Sequence, residues 1–396
     1  MKSIALLCFT LFFCSSYSQL QDLTGLVKIN LLVNDNLEWN SKIGCNINYI
    51  DSSYQYGCAS IIIGAKAKMH GGTSRKYPKR SYTLKLDYPK SLVGLPKDKD
   101  WILNASYIDK TFIRHQLYYE LFYKMNKRHN IAPKCAYVSV FKSNEYQGLY
   151  VLMQRLDAST LKLNKTDSLA MIFKEPIVFY PDSTDLFEDI NNIYNQKFPA
   201  IENINHSSFL DSFNRFLKTS SPIQFTNDIS KWIDMNNLTD WYLMLELSNN
   251  SDGIMKNFYL YKKDHSSPFR IAVWDADHSF GKDGDNELNM MKTEPDLKRN
   301  ILFRRLLDNE LYDFENKVKF RWHQLRSNLT IDSKSFDEMI NDYSLEINQA
   351  IARNEALWPI NAKWYYDANS FEDEIEIIKS FVHLRIQQLD KLYDYH

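Results

Sequence analysis

The first third of the chain alternates apolar and polar residues in short runs, which is the pattern of half-buried β-strands. Residues 26–33 and 81–86 are two such runs, each bounded by Gly, Asn or Asp. Between positions 112 and 121 the apolar residues instead recur every three or four positions. This spacing predicts one helix within the strand-rich part, beginning at the capping residue Asp109 and ending near Met125.

After this helix the pattern predicts two more strands, and beyond Asp157 the balance shifts towards helices. The predicted strands cover residues 136–141 and 148–153, a strong helix covers 229–247, two short strands cover 257–261 and 270–274, and residues 301–395 are helical with a break at Pro359. We therefore predict an α+β protein with two lobes. Residues 19–157 form a small sheet-rich N-lobe, and residues 158–396 form a larger helical C-lobe.

Composition and charge narrow the possible functions. Hydrophobic residues make up 44% of the 396 residues, a share typical of packed domains rather than disordered chains. The 48 Lys and Arg residues balance 49 Asp and Glu residues, for a formal net charge of -1. Because no excess of positive charge is present, nucleic acid is not an expected partner.

The first eighteen residues differ from the rest of the chain. A basic residue at position 2 is followed by an apolar run from Ile4 to Phe13 and then by small residues. This order is typical of a secretory signal peptide, with cleavage before Gln19. A lipid anchor at Cys14 is the alternative. The sequence thus predicts an exported protein that is periplasmic, cell-surface or secreted, with no transmembrane helix after signal removal.

Three cysteines lie beyond the predicted signal, at Cys45, Cys58 and Cys135. The polar turn at residues 51–53 is midway between the first two, so a hairpin there would place Cys45 opposite Cys58. In an oxidising compartment these two residues are expected to form a disulfide across the strands. Two small buried thiols are the alternative.

The strongest candidate for chemistry is a set of polar residues around the two short strands. Asp252 and Asn257 are five positions apart in a loop that follows the predicted helix, and Asp275 and Asp277 follow the second strand. Phosphoryl transfer needs a carboxylate near the accepting hydroxyl and oxygen ligands for Mg²⁺. Asp275 and Asp277 share one strand face, where two carboxylates repel each other unless a cation lies between them. Ordinary turn residues are the alternative interpretation.

A second candidate lies in the sheet-rich part, where glycines and hydroxyls precede a basic cluster that runs into a strand. Gly71, Gly72 and Ser74 offer flexible backbone and polar groups, and phosphates bind to backbone N–H groups and fixed cations. Strand alternation places Lys79 on the face free to meet a ligand. A solvated basic turn is the alternative for this loop.

Five ordered motifs resemble those of the spore coat protein H (CotH) kinase family, and the resemblance covers roughly residues 25–395. They are Gly71-x-x-Ser74-x-x-x-Pro78-Lys79-Arg80-Ser81-Tyr82, Trp101-x-Leu103-x-Ala105-x-Tyr107-x-Asp109-x-x-x-x-Arg114, Tyr146-x-Gly148-x-Tyr150, Asp252-x-x-x-x-Asn257-Phe258-Tyr259-Leu260-Tyr261, and Trp274-Asp275-x-Asp277-x-x-Phe280-Gly281. The resemblance implies an atypical protein-kinase-like fold. It also implies ATP and Mg²⁺ as cofactors and transfer of the γ-phosphoryl group to Ser, or Thr, of secreted or surface proteins.

The resemblance also implies roles for single residues. Asp252 corresponds to the catalytic base, Asp275 to the main metal ligand, Asn257 to the second metal ligand, and Lys79 to the lysine that binds phosphate. Asp277 is a further metal candidate, and the cofactor-binding candidates beside Lys79 are Gly71, Gly72, Ser74 and Gln154.

The chain departs from the family pattern at two of these positions. The Arg that usually precedes the glycine loop is absent, and Gln154 stands where a Glu is usual. Glu120 is a candidate ion-pair partner of Lys79, with a plain surface glutamate as its alternative. Asp109 and Arg114 are expected to form a helix-start and lobe-packing pair rather than to take part in the reaction.

A rival interpretation is a surface or matrix-binding protein that keeps a kinase-like scaffold without catalysis. The 25 Tyr and 8 Trp residues would then form an aromatic binding surface, although an ordinary core is the favoured explanation for them. The intact set of Asp252, Asn257 and Asp275 favours the enzyme.

Overall fold

The computed structural model of the protein describes residues 24–34, 36–51, 59–181, 192–282, 293–362 and 365–396. The chain divides into two compact units. Of the described residues, the first unit contains those up to Tyr107 together with Cys135–Gln154 and Tyr343–Ala368, and the second contains those within Ile108–Lys134, Arg155–Asp342 and Asn369–His396. The α+β class predicted from sequence is confirmed.

The first unit is built on a closed barrel of seven strands, where a small mixed sheet was predicted. The strands are β1 (Lys28–Leu32), β2 (Ile43–Asp51), β3 (Ala59–His70), β4 (Ser81–Lys90), β5 (Asp98–Asn104), β6 (Cys135–Lys142) and β7 (Glu145–Gln154), in the order β1-β2-β3-β4-β5-β7-β6. Parallel pairing of β1 with β6 closes the barrel, while the other neighbours are antiparallel. Alternate side chains such as Ile29, Ile63 and Leu84 fill the interior.

The second unit packs helices around a four-stranded sheet. Its sheet has the order β11-β10-β8-β9, made of β8 (Met171–Lys174), β9 (Gln196–Phe198), β10 (Phe258–Lys262) and β11 (Arg270–Val273). The first five helices are α1 (Arg114–Met125), α2 (Ser207–Thr219), α3 (Pro222–Trp232), α4 (Met235–Ser248) and α5 (Ile301–Asp308). The remaining ones are α6 (Phe314–Ser327), α7 (Ser333–Leu357) and α8 (Phe371–Leu392), and the residues of α7 from Tyr343 onward belong to the first unit.

Two predicted helix boundaries differ from the observed ones. The helix predicted over 229–247 is interrupted, because the Asp234 side chain accepts hydrogen bonds from the backbone N–H groups of Asn236 and Asn237 and so begins a new helix, α4. The helix predicted from Asp109 begins five residues later, at Arg114. The Asp109 carboxylate instead accepts hydrogen bonds from Thr111 and Arg114.

The division into units is more interleaved than the domains predicted from sequence. The predicted boundary after residue 157 lies close to the observed division between Gln154 and Arg155. Residues 108–134 lie within the predicted N-lobe but belong to the second unit. Residues 343–368 lie within the predicted C-lobe but belong to the first unit.

The predicted disulfide is wrong for Cys45. The register of β2 and β3 places Ala65 opposite Cys45, and Cys45 is a free thiol. Cys58 and the predicted signal peptide at residues 1–18 lie outside the described residues. Among the residues that the structure describes, no helix has the length and apolar character needed to cross a membrane.

Candidate functional site

The β10–β11 hairpin brings together two of the residues predicted to bind metal. Phe258 pairs with Val273, and the Trp274 N–H donates to the Asn257 carbonyl oxygen at 2.9 Å. Asn257 therefore enters the first strand beside the point where Asp275 leaves the second. Both residues have left-handed backbone angles, with φ of 58° and 47°, a conformation that costs energy in residues with a side chain.

Asp275 belongs to a cluster with Asp277 and His115, whose ligand atoms all lie within 4.8 Å of one another. The His115 side chain comes from α1, and its Nε2 is 3.1 Å from Asp275 Oδ1. The Asp275 backbone N–H donates to the Tyr119 hydroxyl at 2.9 Å. Two contacts from one helix therefore fix the position of Asp275, whose side chain remains 46% exposed.

The charges in this cluster shift the pKa values of its members. Burial raises the pKa of Asp277, and the neighbouring Asp275 carboxylate raises it further. Desolvation opposes ionisation of Asp275, but the hydrogen bond from His115 together with the charges of His115, Lys174 and His278 outweighs it, so the Asp275 pKa is lowered. Burial alone would lower the His115 pKa. The hydrogen bond to Asp275 and the charge of Asp277 act in the opposite direction, and the net effect is a raised pKa. Two neighbouring carboxylates that resist joint ionisation form a site that a cation would stabilise.

Within the described ranges, His115 Nδ1 is buried and has no hydrogen-bond partner. Mg²⁺ prefers oxygen ligands, so the Asp275 and Asp277 carboxylates fit this ion. His115 is better suited to orient Asp275 than to bind the ion, since its Nε2 is already used in that contact.

Asp252 begins a short 3₁₀ turn, Asp252–Ile254, and is half-buried. Its backbone carbonyl accepts from the Lys256 N–H at 2.9 Å. Burial raises the pKa of Tyr180, and the carboxylates of Glu175 and Asp252 both add to this shift. Both carboxylates therefore lie within electrostatic range of the Tyr180 hydroxyl.

Glu175, which lies near Tyr180, also contacts the backbone of Asn257, one of the metal candidates. Its Oε1 accepts a hydrogen bond from the Asn257 backbone N–H at 3.0 Å and lies 3.5 Å from the Lys174 ammonium group. Glu175 also has a left-handed φ of 52°. The Glu175 side chain therefore fixes the backbone of Asn257, the residue at which the loop from Asp252 leads into β10.

A buried charge network supports α1 directly before His115. The Arg114 guanidinium donates to Asp109 at 2.7 Å and to Glu374 at 2.9 Å, and none of these side chains is exposed by more than 1%. The Lys282 ammonium is 3.6 Å from the same Glu374 carboxylate. The prediction that Asp109 and Arg114 form a pair at the start of the helix is confirmed, and its lobe-packing part stays a prediction.

In the first unit, Lys79 is only 2% exposed. Its ammonium group donates to the carbonyl oxygens of Ala105 and Leu149 and to Asn354 Oδ1, and it lies over the Tyr150 ring. The expectation that Lys79 lies on a face free to meet a ligand is therefore wrong. The reason is that its partners are far away in sequence, where strand alternation carries no information. Its assignment to phosphate stays a prediction.

The glycine loop forms a tight turn before a short 3₁₀ helix, Thr73–Lys76. Gly71 has a φ of 125°, and a Cβ there would lie 2.0 Å from Ser74 Oγ, so a side chain at Gly71 would clash with Ser74. Gly72 precedes the helix as its N-cap. The Gly71 carbonyl accepts from Arg75 Nε at 3.0 Å. The phosphate assignment of Gly71, Gly72 and Ser74 stays a prediction.

Two further candidates have defined positions. Gln154 is buried at the end of β7, opposite Trp101 in β5. Glu120 is 41% exposed and pairs with Lys124 one turn along α1, which matches its surface alternative.

Sequence reasoning missed His115, Lys174, Glu175 and Asn354. His115 directly follows Arg114, the last residue of the second motif, and this adjacency is the one signal that could have suggested it. Lys174 and Glu175 follow an apolar strand, and nothing in their local pattern distinguishes them from surface residues.

Comparison with known proteins agrees with these motifs. The sequence profile of the family described as "CotH kinase protein" matches residues 67–389, so the chain belongs to this family. The chain is also similar to "Inner spore coat protein H" from Bacillus subtilis (strain 168), with 22% identity over 215 residues. That alignment covers 54% of this chain and 58% of the relative.

Proposed function

We propose that the protein is an exported, Mg²⁺-dependent phosphotransferase. It transfers the γ-phosphoryl group of ATP to a Ser or Thr hydroxyl of a secreted or surface protein. Membership of the CotH kinase protein family supports the kinase chemistry, and the coat protein named among its relatives supports a location outside the cytoplasm. The observation that carries the proposal is the cluster of Asp275, Asp277 and His115 at the end of β11.

Asp275 and Asp277 would hold the metal ion, with the Asn257 side chain as a further oxygen ligand. Bound Mg²⁺ would neutralise negative charge on the phosphates as the phosphoryl group leaves. His115 is protonated more readily than an ordinary histidine, so its N–H donates to Asp275 and keeps this carboxylate ionised and oriented. Tyr119 fixes the backbone of the same residue.

Asp252 would accept the proton from the attacking hydroxyl and orient it. Its position at the start of a turn, half-buried and close in sequence to Asn257, suits a group that meets a substrate. Glu175 holds the Asn257 backbone, which keeps the loop between these two residues in one conformation.

Within the first unit, Lys79 and the loop of Gly71, Gly72 and Ser74 would be the phosphate-binding groups. The Lys79 ammonium donates to two carbonyl oxygens and one amide oxygen, so contact with a phosphate would require exchange of at least one of these bonds. Because the same bonds suit a purely structural lysine, they favour a non-catalytic kinase-like binding protein as the second candidate.

The test is transfer of label from γ-labelled ATP to extracted surface proteins in the presence of Mg²⁺. Asp275→Asn should abolish transfer, because loss of the metal's charge compensation slows the reaction by orders of magnitude. Asp342→Asn is the matched control, since Asp342 is an exposed aspartate of the second unit outside the site. Equal transfer by Asp275→Asn and wild type would refute the assignment.

A further inference from the structure

The β8 strand ends on a lysine beside the carboxylate cluster. Lys174 pairs with Tyr259 of β10, and Tyr259 pairs in turn with Ala272 of β11. Asp275 lies three residues beyond Ala272. The sheet therefore places Lys174 two strands from the segment that leads to Asp275, and at the same end of the sheet as Glu175 and Asn257.

The Lys174 side chain is 32% exposed, and its ammonium group lies 3.5 Å from Glu175 Oε1. Burial alone would lower its pKa, but the Tyr259 hydroxyl and the Glu175 and Asp275 carboxylates raise it above the usual value. These groups therefore favour the charged form of Lys174. The Glu175 oxygen that faces Lys174 also accepts a hydrogen bond from the Asn257 N–H. Glu175 therefore interacts with both Lys174 and Asn257.

A partly exposed cation next to an acidic cluster is suited to an anion that also binds the metal. A phosphate oxygen held by Mg²⁺ on Asp275 and Asp277 would bring negative charge to this place. In the first unit, the Lys79 ammonium already has three oxygen acceptors. Lys174 is thus a cation of the second unit that can meet a phosphate without first breaking bonds to backbone carbonyls.

We infer that Lys174 forms a phosphate-binding subsite beside the Asp275 and Asp277 cluster, and that Glu175 positions it. The inference rests on the proposed function, because that function identifies the phosphate as part of a nucleoside triphosphate bound with Mg²⁺. Lys174 binds the phosphate as an ammonium donor. Glu175 acts through Lys174 and Asn257 and is a positioning residue.

The experiment compares Lys174→Met and Lys174→Arg with wild type. Each protein is titrated with ATP and, separately, with pyrophosphate, both with Mg²⁺, and binding is followed by the rise in Tm. We expect Lys174→Met to weaken binding of both probes by about tenfold or more, since a charge-assisted hydrogen bond is lost. Lys174→Arg should restore most of the binding, because arginine also donates to phosphate. Lys334→Met is the control, as Lys334 is 84% exposed on α7.

Steady-state kinetics separate binding from structure. Lys174→Met should raise KM for ATP by a similar factor, while the Tm without ligand stays near that of wild type. A merely structural role would give the opposite pattern, in which Lys174→Met and Glu175→Gln lower the ligand-free Tm equally and leave the binding of pyrophosphate unchanged. That result would overturn the inference.

The outcomes also separate this inference from the proposed function. Normal transfer and normal KM in Lys174→Met would refute the subsite and leave the function intact. Loss of pyrophosphate binding in Lys174→Met, with no label transfer by wild type, would support the subsite and refute the function. A wild type that binds neither probe would refute both.

Discussion

The carboxylate pair of Asp275 and Asp277 gives a prediction that needs no substrate. Their oxygen atoms lie within 4.8 Å of each other. With an effective dielectric constant of about 20, two full charges at this distance repel by roughly 3.5 kcal/mol. The contact of His115 with Asp275 offsets part of this repulsion. We therefore expect Asp277→Asn to increase the free energy of unfolding of the metal-free protein by about 1–3 kcal/mol.

The assay is thermal and urea unfolding at pH 8 in EDTA, with Asp342→Asn as the control for loss of one surface charge. Addition of Mg²⁺ should then raise the Tm of wild type more than that of Asp277→Asn, because the variant has lost one ligand. Two results would refute the idea that these carboxylates form a cation site. One is an Asp277→Asn variant that is less stable than wild type in EDTA. The other is a rise in Tm on addition of Mg²⁺ that is as large for the variant as for wild type.

The pH dependence of the same comparison has a defined sign. The folded-state pKa of Asp277 is raised, so the folded protein binds more protons than the unfolded chain between the unfolded and the folded pKa values. The stability that Asp277 contributes is therefore lost as the pH rises through its folded pKa. The advantage of Asp277→Asn should grow in that direction and should vanish at low pH.

Three further predictions concern groups away from the cluster. Arg114→Met should lower the free energy of unfolding by about 3–5 kcal/mol in urea unfolding, because it removes the guanidinium that two buried carboxylates share. Burial raises the pKa of Glu246 to about 7, so stability should fall as the pH rises from 5 to 8 in wild type, and Glu246→Gln should remove much of this slope in a pH series of Tm values. Burial, together with the charge of Asp87, raises the pKa of Cys45 to about 11, so native Cys45 should resist alkylation at neutral pH in a mass-spectrometric assay, while rapid labelling would contradict this.

Local patterns predicted the elements of the fold better than their assembly. Alternation correctly located the strands at 81–86, 136–141 and 148–153 within β4, β6 and β7. It gave no sign that β1 pairs with β6 to close a barrel, because that pairing joins residues more than 100 positions apart. The interruption before α4 depends on one capping aspartate inside an otherwise continuous apolar pattern.

The site shows the same division between local and distant information. The hairpin that places Asn257 beside Asp275 could be read from two short strands and a turn. His115 could not, since it meets Asp275 across 160 positions of sequence. Lys79 was predicted on an open face, yet its acceptors come from Ala105, Leu149 and Asn354. Such burial depends on tertiary packing that strand periodicity does not encode.

The most direct test of phosphoryl transfer separates nucleotide binding from catalysis at Asp252. Asp252→Ala removes the group proposed to accept the hydroxyl proton, which is worth roughly 10²–10⁴-fold in rate, and leaves Asp275 and Asp277 in place. We predict that ATP with Mg²⁺ raises the Tm of Asp252→Ala nearly as much as that of wild type, while label transfer to a Ser-containing acceptor is nearly lost. Wild type and Asp252→Ala that both bind nucleotide and transfer label at the same rate would contradict the account.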